Sequence, residues 1–242
     1  MQHKSIIAKG LSKAYGDKIV LNDIDFSTMQ GKIYGMIGPS GSGKTTFIKM
    51  LIGMEKPDEG SVHVLNTKMP NLNILQKIGY MAQSDALYPT LTGEENLHFF
   101  ASIFKLPKNE QKERITYTAK LVNLTEDLYK KVSAYSGGMK RRLSLAIALI
   151  QNPEILILDE PTVGIDPELR FHIWNELVRL KVEEGKTILV TTHVMDEANR
   201  CDEISMLRDG AIIAQGSPQA LKEHFNVESL DEVFLYAGRT TI

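Results

Sequence analysis

The chain predicts an α/β fold with a mostly parallel sheet, an antiparallel β portion near the N terminus and an inserted helical segment. Three observations carry that reading. The apolar run Ile33 to Ile37 feeds a glycine-rich loop and then the helix-forming stretch Thr46-Phe47-Ile48-Lys49-Met50-Leu51. Ile155-Leu156-Ile157-Leu158 is continuously apolar, as a strand buried on both faces of a parallel sheet should be. From there onward strand patterns alternate with helical ones.

Taken in order, short β-like runs fill the first quarter: Ser5 to Ile7, Lys18 to Leu21, Lys32 to Ile37 and Ser61 to Leu65. Turn residues at Gly16-Asp17, Gln30-Gly31 and Asp58-Glu59-Gly60 separate them. From about residue 90 the pattern becomes helical. Thr92 followed by Glu95 spells a capping box opening a helix over Asn96 to Phe104. Pro107 breaks that helix, and Lys108 to Arg114 starts another. After Ser136 comes an apolar helix with Met139, Leu143, Ile147 and Ile150 on one stripe. Asp166 caps a further helix with Pro167 at its first position, and Thr187 to Thr191 is the next strand. Ile204 to Leu207 and Ala211 to Ala214 make a hairpin through Arg208-Asp209-Gly210. The expected organisation is one domain: a core over about 1–83 and 146–216, a helical insertion over about 84–145, and a helical tail over 217–242.

Composition narrows the function. At 242 residues, 43% hydrophobic and 24% charged, the chain can bury an ample core. A net charge of −2 gives no global basic field for nucleic acid, and none is expected as a partner. No uninterrupted apolar stretch approaches the ~20 residues that span a bilayer, and Met1 to Ser5 open no signal-peptide segment. The lone Cys201 excludes an internal disulfide and fits a reducing compartment, so a soluble, cytoplasmic chain is expected.

The loop Gly38-Pro39-Ser40-Gly41-Ser42-Gly43-Lys44-Thr45 is the strongest chemical signal. Strand, glycine loop and helix in that order make a socket for nucleotide phosphates, with backbone N–H groups curling round the anion at a helix's positive end. Lys44 supplies a point charge to the outer phosphates, and the Thr45 hydroxyl can complete a Mg²⁺ shell. Asp159-Glu160 ends the run Ile155 to Leu158, placing two carboxylates where ligands collect at a strand's C-terminal edge. Such an aspartate suits Mg²⁺, and such a glutamate can orient a water attacking the γ-phosphate.

Ser136-Gly137-Gly138 is a second anion-ready helix start. Lys140-Arg141-Arg142 then place cations against the helix dipole's preference, which marks either function or a solvated basic face. His193 follows a strand and can bond a phosphate oxygen. Gln83 can offer an amide oxygen to a metal or water, and Tyr15 can stack on a purine. Each of these three is a weak signal by itself.

In their order along the chain, these pieces resemble the ATPase subunit of an ATP-binding cassette transporter. The phosphate loop at 38–45, Gln83, Tyr135-Ser136-Gly137-Gly138-Met139-Lys140-Arg141, Ile155 to Glu160, Gly164-Ile165-Asp166 and His193 match that family's successive motifs, over about residues 5 to 216. The serine-glycine-glycine signature is the discriminating piece, because many NTPases share the loop. The resemblance implies a P-loop NTPase core that binds ATP with Mg²⁺. It implies that Tyr15 stacks on adenine, that Lys44 and the 38–46 backbone, Thr46 included, hold phosphates, and that Thr45, Gln83 and Asp159 attend the metal. Glu160 would polarise the water and His193 would sense the γ-phosphate. Ser136, Gly137 and Gly138 would address the nucleotide of a second subunit, with Asp166 at the interface of a homodimer or heterodimer.

Two positions depart from the common form, Tyr135 for leucine and Met139 for glutamine. The run Met139 to Arg142 and the tail Leu230 to Leu235 are similar to the drug, lipid and peptide exporter branch. The resemblance therefore implies an exporter ATPase held at the cytoplasmic side of the membrane by separate spanning subunits, which would grip the segment of Asp85, Leu87 and Tyr88. The alternatives are an importer ATPase of the same fold, or a non-transport relative acting on ribosomes or DNA.

Overall fold

The structure, a computed structural model, describes residues 4–239. Met1 to His3, on which the no-signal reading partly rests, and Thr240 to Ile242 of the tail lie outside the described residues.

Two long antiparallel strands open the chain, β1 (Lys4–Tyr15) and β2 (Lys18–Met29). They outrun the expected Ser5 to Ile7 and Lys18 to Leu21. Register shifts between Ala8/Leu11 and Lys13/Ala14, with Gly10 and Asp23 at positive φ, break the alternation that makes a strand readable. β3 (Ile33–Ile37) is buried throughout and leads through the glycine loop into α1 (Lys44–Leu51). β4 (Glu59–Val64), β5 (Thr67–Lys68), α2 (Leu72–Leu75) and β6 (Ile78–Met81) follow.

α3 (Gly93–Ile103) begins earlier than the expected Asn96, because Thr92 is itself the cap and both arms of its box with Glu95 are formed. Pro107 stands at the N-cap of α4 (Lys108–Leu121). α5 (Gly137–Leu149) starts at the Ser136 cap, and β7 (Ile155–Asp159) is buried at every residue, as its sequence requires. Asp166 caps α6 (Pro167–Glu184), and Gly185 at φ 65 closes it. β8 (Thr187–Thr192), the short α7 (Met195–Ala198) and the hairpin β9 (Glu203–Arg208) and β10 (Ala211–Gly216) come next. α8 (Pro218–Phe225) and α9 (Leu230–Ala237), capped by Ser217 and Ser229, end the described chain.

These elements divide into two units, residues up to Ile74 with those from Thr187 onward, and Leu75–Lys186. In the first unit β2-β1-β4-β5 form an antiparallel sheet. A second sheet runs β10-β9-β3-β8, with β3 parallel to both β8 and β9 and β10 antiparallel at its end. Phe26 packs edge-on to Phe47 of α1 at 5.3 Å and to Tyr34 of β3 at 6.2 Å, fixing the helix that follows the glycine loop.

In the second unit β6 and β7 pair in parallel, from Ile78 with Ile155 to Met81 with Leu158. α5 lies close against β6: a Cβ at Gly79 would stand 2.0 Å from the Ala148 carbonyl oxygen. Arg114 of α4 donates to the Leu149 and Ile150 carbonyls at 2.6 and 3.1 Å, closing the C-terminal end of α5. Among the described residues no helix is long and apolar enough to cross a membrane.

Candidate active site

The first unit carries the phosphate loop. β3 is the inner strand of its sheet, so the loop leaves at the C-terminal edge of a buried parallel strand, where open α/β sheets place ligands. Only glycine fits at 38, since a Cβ there would stand 2.2 Å from the Leu207 carbonyl oxygen and 2.7 Å from Ser42 Oγ. Gly43, the N-cap of α1, sits at φ 108 against Val20 and Leu21. Lys44 is 5% exposed, and its ammonium folds back to donate to the Gly38 carbonyl at 2.7 Å and the Pro39 carbonyl at 3.1 Å. That places the charge over the loop. Pro39, Ser40 and Gly41 are exposed, and Thr45 and Thr46 are half-buried in the first turn of α1.

The loop's chemistry fits a triphosphate. α1 has no side-chain cap and no acidic residue in its first turn, so nothing on the helix itself answers its positive end. Ser42 Oγ is buried without a hydrogen-bond partner among the described residues, a donor awaiting an acceptor.

Two outlying residues lie in the same unit. Tyr15 ends β1 with its ring half-exposed and the Lys13 ammonium 5.4 Å from its centroid. Hydrogen bonds to Asp58 and Glu55 hold Lys13 in place and push its pKa up. His193 follows β8 and is exposed. Thr192 Oγ1 donates to the buried Glu197 carboxylate at 2.7 Å and accepts from the Val194 N–H at 3.0 Å, which fixes the turn carrying the imidazole. Sequence reasoning missed Glu197, whose only signal is a carboxylate placed just past a strand-end histidine.

The second unit carries the carboxylates. Asp159 and Glu160 are 1% and 9% exposed at the end of β7. Glu160 has φ 51, a left-handed conformation that a non-glycine residue holds only under constraint. Gln83 is brought to it, with Nε2 donating to Glu160 Oε2 at 3.4 Å. Tyr80 stays protonated, since burial first and the neighbouring Asp159 charge second push its pKa up to about 12.

Ser136 and Gly137 are exposed, and Ser136 Oγ accepts from the Met139 N–H at 3.2 Å. The glycines here meet no internal demand. A Cβ at Gly137 would find nothing within 4 Å, and one at Gly138 only the Gly164 carbonyl at 3.6 Å. Tyr135, by contrast, is buried, its hydroxyl donating to the Asp127 carbonyl at 2.7 Å. It fills the space above Gly93, where a Cβ would stand 2.3 Å from the phenol oxygen. Asp166 is exposed and accepts from the Leu169 N–H at 3.0 Å. Of the two readings left open for the cations at 140–142, function or a solvated basic face, the solvated face does not describe Arg141. It is 6% exposed and bonded to backbone carbonyls, while Arg142 reaches the Asn123 carbonyl.

Comparison with known proteins places the chain in a family. A protein-family model described as ABC transporter matches residues 21–163, more than half of the chain. The Nod factor export ATP-binding protein I of Bradyrhizobium diazoefficiens is 40% identical over 242 residues, spanning 98% of this chain and 78% of the relative. Its namesake from Rhizobium johnstonii is 44% identical over 217 residues, 88% of this chain and 70% of the relative. Among solved structures, an ATP binding subunit of an ABC transporter superposes with a TM-score of 0.89 at 28% identity, over 97% of this chain and 99% of that one. A dimeric post-hydrolysis state of the ATP-binding cassette MJ0796, bound to ADP and Pi, gives 0.81 at 30% identity over 88% and 98%. Fold, loop and carboxylates thus define a phosphate-handling ATPase, and the chain belongs to the ABC transporter family. Within that family it is the ATP-binding, ATP-hydrolysing subunit.

Proposed function

We propose that this subunit powers export, working as a head-to-tail pair on the cytoplasmic side of a membrane and docked to separate spanning chains. The export direction follows the named role of the relatives. The observation that carries the pairing is the helix start at Ser136. Glycine costs a helix up to about 1 kcal/mol relative to alanine in its interior, and two of them open this one. Among the described residues nothing crowds a Cβ at either position. They leave backbone N–H groups open to something approaching from outside, and a phosphate chain held by a second copy is an anion of the right kind.

In this reading Tyr15 stacks on the adenine, while the N–H groups of 38–46 and the Lys44 ammonium hold the phosphates. Thr45, Gln83 and Asp159 are hard oxygen donors of the type Mg²⁺ takes, one or two from protein and the rest from phosphate and water. Mg²⁺, if held there, would supply positive charge to offset that of the phosphates. Glu160 polarises the attacking water and takes its proton, Gln83 orients the same carboxylate, and His193 donates to a γ-phosphate oxygen. Asp166, exposed at the start of α6, belongs to the pairing surface.

The test is Glu160→Gln in saturating Mg-ATP, followed by light scattering and by turnover. The expected result is bound ATP, a dimeric mass and a turnover lower by about 10²-fold or more. A variant that stays monomeric while fully loaded overturns the shared-nucleotide reading.

A further inference from the structure

Arg141 ends the stretch that matches the signature motif, where the resemblance gives it no role of its own, yet its contacts reach the proposed site. The ladder between β6 and β7 ends with Met81 opposite Leu158. Continuing that register would set Ala82 opposite Asp159 and Gln83 opposite Glu160, but the two strands stop there. That leaves four further carbonyls at the strand ends, of which those of Asp159 and Glu160 are in buried residues, where an unsatisfied acceptor costs about 1–3 kcal/mol.

One guanidinium takes all four. Arg141 Nη1 donates to the Ala82 carbonyl at 2.7 Å and the Gln83 carbonyl at 3.0 Å. Nη2 donates to the Asp159 carbonyl and to the Glu160 carbonyl at 2.6 Å. The four hydrogens on the two terminal nitrogens match the four acceptors, and Nε is left without a partner among the described residues. The fork thus serves backbone, two rungs beyond the last one that the strands form between themselves. Asp85 Oδ1, at 3.7 Å from Nη1, supplies opposite charge. Burial still lowers the guanidinium's pKa, with Asp85, Asp159 and Glu160 opposing that shift.

We infer that Arg141 is the positioning residue of the hydrolytic site, a clip that extends the β6–β7 pairing and holds Glu160 and Gln83 facing each other. Three features support this. Glu160 sits at φ 51, which costs of order 1–3 kcal/mol and persists only where surrounding contacts dictate it. The Gln83–Glu160 side-chain contact is the one that an extended register would produce. Arg141 also sits on α5, one turn past Ser136, so displacement of that helix start moves the clip and the carboxylate with it.

The inference rests on Glu160 polarising the water, which Glu160→Gln tests separately. Purified subunit would be assayed for kcat, KM and ATP affinity as wild type, Arg141→Lys and Arg141→Ala. Lysine keeps charge and approximate length but offers three hydrogens from one point, which cannot serve four carbonyls on two segments. Both variants should bind ATP within about threefold of wild type while kcat falls about 10²-fold, as for a misplacement near 1 Å. Guanidinium chloride well below denaturing concentration should return part of the kcat of Arg141→Ala, and sodium chloride of equal ionic strength should not. If Arg141→Ala does not fold, Arg141→Lys decides alone. Wild-type kcat in Arg141→Lys, or ATP affinity falling in step with kcat, overturns the clip while leaving the assignment of Glu160 intact. A Glu160→Gln that hydrolyses at the wild-type rate removes the assignment and the clip together.

Discussion

Lys44 is almost wholly buried, and burying an ammonium costs several kcal/mol unless it is bonded. The Gly38 and Pro39 carbonyls accept from it and orient it over the loop. Lys44→Ala should therefore weaken nucleotide binding by roughly 2–4 kcal/mol, at least about 30-fold in Kd. Titration with a fluorescent ATP analogue measures this, and an unchanged Kd removes the cradle assignment. At this scale the loop is legible in the sequence, since Gly41 and Gly43 stand at φ 82 and 108 as a tight wrap demands. Arg141 is not. Its sequence signal is a cation at an unfavourable helix position, and its partners are carbonyls, which every residue carries and no sequence pattern marks.

Elements are most legible where one local rule decides them. Four apolar residues in a row at 155–158 spell a strand buried on both faces. Thr92 and Glu95 spell a capped helix whose box the structure forms, with the Glu95 N-to-oxygen contact at 3.1 Å and the return contact at 2.7 Å. Hydrogen bonds from Thr92 lower the Glu95 pKa, so the stabilisation is present above the usual glutamate range and is lost as pH falls through the lowered value. Thr92→Ala should reduce stability by about 1 kcal/mol at neutral pH and by less in acid, where the wild type has already lost part of the box. Urea melts at several pH values check the sign, and a loss that grows toward low pH contradicts it. β1 and β2 read short in the sequence because bulges and positive-φ residues shift their alternation partway along, a property of the pairing rather than of either strand alone.

At the level of the whole chain, net charge is −2, and among the described residues no helix is long and apolar enough to cross a membrane, but neither fact says with whom the subunit works. For that question we propose an exposed aromatic surface. Tyr88, Phe99 and Phe100 cluster with ring centroids 4.7 to 6.3 Å apart, and Tyr88 and Phe99 are more than a third exposed. The expected outcome is copurification with a multispanning membrane protein that survives high salt, as an apolar contact should. Cosedimentation with ribosomes instead would move the chain to the non-transport class. The motifs can be placed from sequence because each has fixed spacing, whereas a docking surface is assembled from side chains whose proximity depends on the fold.

The tyrosine at 135 has a consequence for how this subunit can diverge. Its phenol oxygen occupies the volume that any side chain at position 93 would need, so neither position is free to drift while the other stays as it is. A leucine at 135 would give up the tether to Asp127 and would remove the tightest obstacle at position 93, leaving the Leu128 carbonyl oxygen 3.2 Å from a Cβ there. Substitutions at these two sites are therefore epistatic, and their order of appearance is constrained: the ring must go before a side chain can enter.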